Sequence, residues 1–197
     1  MSQNSSIIVS FMGVDGSGKS TLIELLKKRL KNKFKKIKYV HLRPYLILLD
    51  KSTVQTNPHK SKKTWPILFN FFRILYWLII YRFFFYLFVN NSKQLIIFDR
   101  YAHDLMIDPI RYKFNLPHRI AKFILNLFPN PTLWVVLNAP IELLEKRKKE
   151  LPTKELKKQI RNYLNFAKQR KNSIVVNTNN SVQSSLSLII KKINSFN

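Results

Sequence analysis

The sequence predicts an α/β fold in which a five-stranded parallel sheet is sandwiched by helices. Three observations carry this expectation. Strand-like and helix-like segments alternate along the chain, as crossover connections between parallel strands require. Strand candidates such as Leu95–Phe98 and Thr132–Leu137 are nearly continuous apolar runs, the pattern of strands covered on both faces. All three glycines of the chain, Gly13, Gly16 and Gly18, fall between the first strand and the first helix.

Each element follows from its residues. Ile7–Met12 is the first strand. After Gly18, Leu22, Leu25, Leu26 and Leu30 recur at spacings of three and four with basic residues between them, which predicts an amphipathic helix. Ile37–Leu42 is a short β-branched and aromatic run that stops at Arg43-Pro44. Residues 51–64 are polar and proline-broken, a surface loop, and Trp65–Val89 is a long aromatic helix. Leu95–Phe98, Thr132–Leu137 and Ser173–Val176 complete the strands. Between the last two, Ile141–Lys171 is charged, with periodic leucines, and reads as helices flanking a break near Pro152; Val182–Ile193 closes the chain.

The 197 residues suit one domain, residues 1–197, carrying a loop and aromatic helix at 51–92 and a basic, lid-like segment at about 145–158. Apolar residues make up 46% and aromatics 13%, which excludes a disordered or collagen-like chain. Without cysteine there is no disulfide framework, thiolate metal site or thiol nucleophile. The N-terminus lacks the charged start and long apolar core of a secretion signal, so the chain reads as cytoplasmic. Trp65–Val89 is interrupted by Arg73 and Arg82, and its uncharged stretches are too short for a bilayer crossing. Those arginines lie half a turn out of phase, leaving a helix apolar all round, which predicts burial. It would pack on the sheet, pair with its copy in a homodimer, or lie on the inner face of a membrane; the dimer is the first expectation.

A net charge of +25 draws anionic partners. Gly13-Val14-Asp15-Gly16-Ser17-Gly18-Lys19-Ser20-Thr21 matches GxxxxGK[ST], in the strand-to-helix position where that motif works. Its glycines allow backbone N–H groups to turn inward around phosphates, and the following helix adds the positive end of its dipole. Lys19 would reach the β- and γ-phosphates of ATP, and the Ser20 hydroxyl would bind Mg²⁺. Asp99-Arg100-Tyr101 ends the third strand at the carboxyl edge of the sheet, where ligands bind. There Asp99 can hold Mg²⁺ or accept a proton, and Arg100 can fork onto an acceptor phosphate. A structural ion pair ending the strand is the competing reading.

With the loop, Arg43-Pro44, Asp99-Arg100-Tyr101 and a basic segment around Arg147, the chain resembles the thymidylate kinase branch of the nucleoside monophosphate kinases, over nearly its whole length. The resemblance implies a P-loop NTPase fold, ATP and Mg²⁺ as cofactors, and phosphoryl transfer to a small acceptor such as dTMP. It makes Asp15 the acidic residue of the loop and places Arg43, Arg73, Arg100 and Tyr101 at the acceptor. Arg147 falls in the lid, where a cationic side chain stabilises transition-state charge and closure excludes water; a solvated basic face is the alternative.

The sequence departs from that family after Tyr101. The serine and the Tyr-Gln element that face thymine are missing, and Ala102 to Tyr112 offers Asp104, Asp108, Arg111 and Tyr112 instead. These suit hydroxyl-rich acceptors such as sugars, and the two aspartates equally suit helix capping or turn formation before Pro109. This pattern, with His41-Leu42-Arg43-Pro44 and Arg147-Lys148-Lys149-Glu150-Leu151, also resembles a thymidylate-kinase-like subgroup associated with bacterial polysaccharide synthesis, which makes a sugar, sugar phosphate or glycan the alternative acceptor. His103 lies near the acceptor edge. A third reading is a basic protein that senses nucleotide and binds nucleic acid or a membrane surface, but no nucleic-acid motif supports it.

Overall fold

In the computed structural model, residues 6–42, 64–89, 94–147, 151–179 and 181–196 are described. Five strands, β1 (Ile7–Met12), β2 (Lys36–His41), β3 (Gln94–Asp99), β4 (Leu133–Asn138) and β5 (Ser173–Asn177), form one sheet. Their spatial order is β2-β3-β1-β4-β5, and every pairing is parallel. The expected strands are therefore present within a residue or so of their predicted ends. The central strands are apolar at nearly every interior position because both faces are covered, Ser10 of β1 being the exception; β1 is buried at every position and β4 at all but its last residue.

Alternation along each strand divides the core in two. Leu95 and Ile97 of β3 join Phe11 and Val135 on the face covered by α1 (Lys19–Leu30) and the C-terminal helix, Val182–Asn194. Ile96 and Phe98 point the other way, into an aromatic core with Tyr81, Tyr101 and Trp134. Tyr101 stands 4.7 Å from the Tyr81 ring and 5.0 Å from Trp134, both edge-on, the arrangement aromatic quadrupoles favour. This second face is covered by α2 (Ile67–Val89), by α3 (Asp104–Ile107) and α4 (His118–Asn126), and by α6 (Thr153–Lys168) beyond the short α5 (Ile141–Arg147). The C-terminal helix is α7.

Two features add to the sequence reading. Within one chain, α2 packs on the sheet by one side only: Ile74, Trp77 and Tyr81 enter the core, whereas Phe72, Tyr76, Ile79, Phe83 and Tyr86 are exposed. A helix resting on the flank of a sheet can bury only one side, whatever its composition. The structure also has α3 and α4, which the pattern did not mark. The first is a single turn, too short for periodicity; the second buries Ala121, Ile124 and Leu125 behind Pro117 at its N-cap.

Candidate active site

At the carboxyl edge of the sheet, the loop from Gly13 to Gly18 leads directly into α1. Gly13 has φ 144°, and a Cβ there would stand 2.9 Å from the Leu137 carbonyl of β4, so the loop passes β4 at a distance only glycine permits. Gly18 takes φ 93° as the N-cap of α1 and turns the chain into the helix without a side-chain cap. The first N–H groups of α1 are thus left facing the cleft beside the loop. That cleft, about 800 Å³, is lined by Asp15, Gly16, Gly18, Lys19, Ser20 and Thr21 from this segment, and by Asp99, Arg100, Arg111 and Arg147 from elsewhere.

Lys19 is buried, and its Nζ donates to the Gly13 and Val14 carbonyls at 2.8 Å each and to Ser17 Oγ at 3.4 Å. Burial, with the neighbouring Arg100, lowers its pKa to about 7 against the opposing pull of Asp15 and Asp99. Asp15 pairs with two guanidiniums, those of Arg100 and Arg111. Burial alone would raise its pKa, but Arg100, Arg111 and Lys19 outweigh that and hold the carboxyl far below its ordinary range.

Arg100 follows β3 with φ 74°, a left-handed conformation uncommon outside glycine, and its N–H donates to the Phe11 carbonyl at 2.9 Å. The turn aims the guanidinium at the loop. Behind it Asp104, fully buried, accepts from Arg100 Nη1 at 3.0 Å, and Tyr163 Oη stands 3.3 Å from the same nitrogen. Burial raises the Asp104 pKa, with Arg100 pulling the other way. Arg100 therefore spans two carboxylates, one in the cleft and one behind it. From the end of α5, Arg147 Nη1 donates to the Gly16 carbonyl at 3.1 Å, which closes α5 over the phosphate loop.

Asp99 is buried at the end of β3, and one oxygen, Oδ2, accepts from Tyr39 Oη at 3.0 Å. Its other oxygen, Oδ1, is buried with no hydrogen-bond partner. Asp99 lines the cleft that also presents Ser20, and a carboxylate with an oxygen left unpaired beside a hydroxyl suits a divalent cation whose remaining ligands are phosphate oxygens and water. Among the described residues no group of three or more His, Asp or Glu gathers into a protein-only metal cage.

Four of the proposed acceptor residues do not line the cleft. Tyr101 is fully buried in the aromatic core, and its hydroxyl donates to the Pro129 carbonyl at 2.5 Å. Asp104 lies behind Arg100. Asp108 is buried and accepts from the Arg111 backbone N–H at 3.4 Å, turn chemistry that shapes the approach of Arg111. Arg73 donates to the Tyr112 carbonyl at 3.0 Å, bracing the same segment from α2. His103 likewise faces inward, beside Trp134 and Phe166, and burial lowers its pKa to about 3 so that it stays neutral. Arg43 lies outside the described residues.

The cleft also holds residues to which the sequence reading gave no role there: Tyr39 and His41 from β2, the latter noted only as the start of His41-Leu42-Arg43-Pro44, and Thr178, Val182 and Ser185 near the start of α7. The register His41↔Asp99 explains the first pair, because it carries the end of β2 to the acidic end of β3. No linear motif connects these residues.

No protein-family model matches the chain. No curated protein matches its sequence either. Solved structures do. Thymidylate kinase from Candida albicans superposes with TM-score 0.66 at 16% identity, over 97% of this chain and 92% of that one. Thymidylate kinase from Ehrlichia chaffeensis gives 0.65 at 15% identity, over 95% and 98%. Deoxyadenosine kinase from M. mycoides gives 0.56 at 19% identity, over 95% and 100%. At such identities the likeness speaks to architecture, and the chain has the fold of the P-loop nucleoside monophosphate kinases.

Proposed function

We propose that this chain is a P-loop kinase that transfers the γ-phosphoryl group of ATP to a small acceptor held beside Asp15, Arg100 and Arg111. The observation that carries the reading is the convergence of Lys19, Asp15, Asp99, Arg100 and Arg147, from four separate elements, on one cleft at the mouth of the phosphate loop. The inward N–H groups of the loop and α1 bind the polyphosphate, and Lys19 neutralises its terminal end. Ser20 and Asp99 would hold Mg²⁺, which when bound spreads the charge on the phosphate oxygens. Arg100 grips the acceptor and Arg147 covers the transferring group, so catalysis is positioning and charge neutralisation without a covalent intermediate.

The first choice of acceptor is a nucleoside monophosphate such as dTMP, in keeping with the substrates named for the structural neighbours. One observation favours the second choice, a sugar, sugar phosphate or glycan: Arg111 occupies the acceptor side of the cleft in an ion pair with Asp15, in the stretch that lacks thymine-reading residues. ATP consumption screened across nucleoside monophosphates, sugars and sugar phosphates, with Lys19→Ala as control, separates the two. Turnover with dTMP no greater than without acceptor removes the first choice. Absence of ATP binding by the wild-type chain removes the kinase reading itself.

A further inference from the structure

Asp104 sits where a carboxylate is costly. It is fully buried on the single turn of α3, in company with Leu105 and Ile107, and burial works against its charge. It accepts from Arg100 Nη1 at 3.0 Å, and Arg100 is itself only 2% exposed. A buried ion pair adds little stability that well-packed apolar side chains would not supply, so the fold alone gives no reason for this one.

The front of the same guanidinium is engaged differently. Its Nη2 pairs with Asp15, a partly exposed residue of the phosphate loop that is shared with Arg111. Asp15 and an acceptor anion compete for that nitrogen, so Asp15 cannot keep Arg100 in place once the acceptor is bound. The back is held independently. There Nη1 also donates to Tyr163 Oη at 3.3 Å, from the buried face of α6. The backbone at Arg100 is fixed by its N–H bond to the Phe11 carbonyl. Because a guanidinium is planar, holding Nη1 at the far end of the side chain sets its plane and with it the place of Nη2.

We propose that Asp104, assisted by Tyr163, is a positioning residue for Arg100: it holds Nη1 behind the cleft so that Nη2 is handed from Asp15 to an acceptor anion while the guanidinium keeps its place. This rests on the kinase reading above and adds what keeps its acceptor arginine aligned. Without the anchor, a long side chain must be ordered each time an acceptor binds.

A double-mutant cycle tests this on the full chain, with Mg²⁺ and a non-hydrolysable ATP analogue filling the phosphate loop and inorganic phosphate titrated as the acceptor probe. Asp104→Asn should weaken phosphate binding about tenfold and Tyr163→Phe about threefold, with a smaller effect on the analogue. Tyr163→Phe removes one oxygen from a packed ring, so the test stands even where Asp104→Asn fails to fold. In an Arg100→Lys background, which has no second nitrogen to align, both substitutions should leave phosphate affinity unchanged. A role confined to stability would instead weaken phosphate binding equally in both backgrounds, and that result overturns the proposal. Phosphate affinity unaltered by both substitutions, or no phosphate binding by the analogue-filled wild type, overturns it as well while leaving the kinase reading intact. A wild type that does not bind the analogue removes the kinase reading, and this proposal with it.

Discussion

Arg100, at the end of β3, reaches across the sheet edge to pair with Asp15 in the phosphate loop, 85 residues earlier in the chain. The pair joins the loop proposed to receive a polyphosphate to the residue proposed to hold the acceptor. Arg111 shares the same carboxylate. Two cations, each suited to an anionic acceptor, are thus held in place by one anion.

Replacing Asp15 with Asn removes the anion and leaves two neighbouring guanidiniums facing each other. A loss of roughly 2 kcal/mol in urea unfolding is expected, less than for a fully buried pair because Asp15 retains some solvent contact. The sign with pH follows from a folded pKa held below the ordinary 3.8. The contribution is complete above that value and is lost as pH falls below it. The wild type should lose stability more steeply than Asp15→Asn below about pH 4; parallel acid limbs would refute this.

Lys19 behaves in the opposite sense. Its pKa lies at about 7 in the folded chain against an ordinary 10.5, so the unfolded chain binds more protons between those values. Stability should rise with pH across that window, and the rise should vanish in Lys19→Met. A bound triphosphate restores the ammonium, so ATP binding near pH 8 should take up a proton. Calorimetry in buffers of different ionisation enthalpy measures that uptake, and Lys19→Met should also lower turnover by about 10²-fold or more.

Tyr39→Phe deletes the hydroxyl that donates to Asp99 Oδ2 and leaves the carboxylate freer to turn. Turnover should fall about tenfold, equivalent to about 1.4 kcal/mol, with the apparent Mg²⁺ requirement rising and the melting temperature nearly unchanged. An unaltered Mg²⁺ titration would show that this hydrogen bond does not orient the carboxylate.

Arg147→Ala touches an exposed side chain that donates to the Gly16 carbonyl. The fold should be unaffected and kcat should drop about 10²-fold or more, with little change in acceptor KM, as expected of a group that acts mainly in the transition state. A change confined to KM would move Arg147 from the transferring group to ground-state binding.

Tyr101 separates packing from substrate contact. Tyr101→Phe loses the hydrogen bond to Pro129 and should destabilise by about 1 kcal/mol, whereas Tyr101→Ala opens the aromatic core and should destabilise by about 3–5 kcal/mol. Acceptor KM should be the same in the wild type and Tyr101→Phe, because the side chain lies behind the cleft lining.

Much of this architecture was legible because it is local. A strand covered on both faces is apolar almost throughout, so Ile7–Met12, Leu95–Phe98 and Thr132–Leu137 announce themselves. A loop that approaches a β4 carbonyl within reach of a Cβ must carry glycine, so Gly13 stands out in a chain with three. The four-residue α3 has no such signature, because one turn is shorter than any hydrophobic period.

The chain's own residues determined the phosphate loop, the strands and the outline of α1, since spacing and burial are written into neighbouring positions. Only the folded chain decided that Tyr101 turns into the core, that Tyr39 meets Asp99, that Arg111 joins Asp15, and that α2 turns Ile74, Trp77 and Tyr81 inward and Phe72, Ile79 and Tyr86 outward. The first depends on a left-handed φ at Arg100, and the next two on the β2-β3-β1 order and on the turn after Asp108. The last depends on a sheet having room beneath only one side of a helix. Distances between remote side chains are set by topology, which linear spacing does not encode.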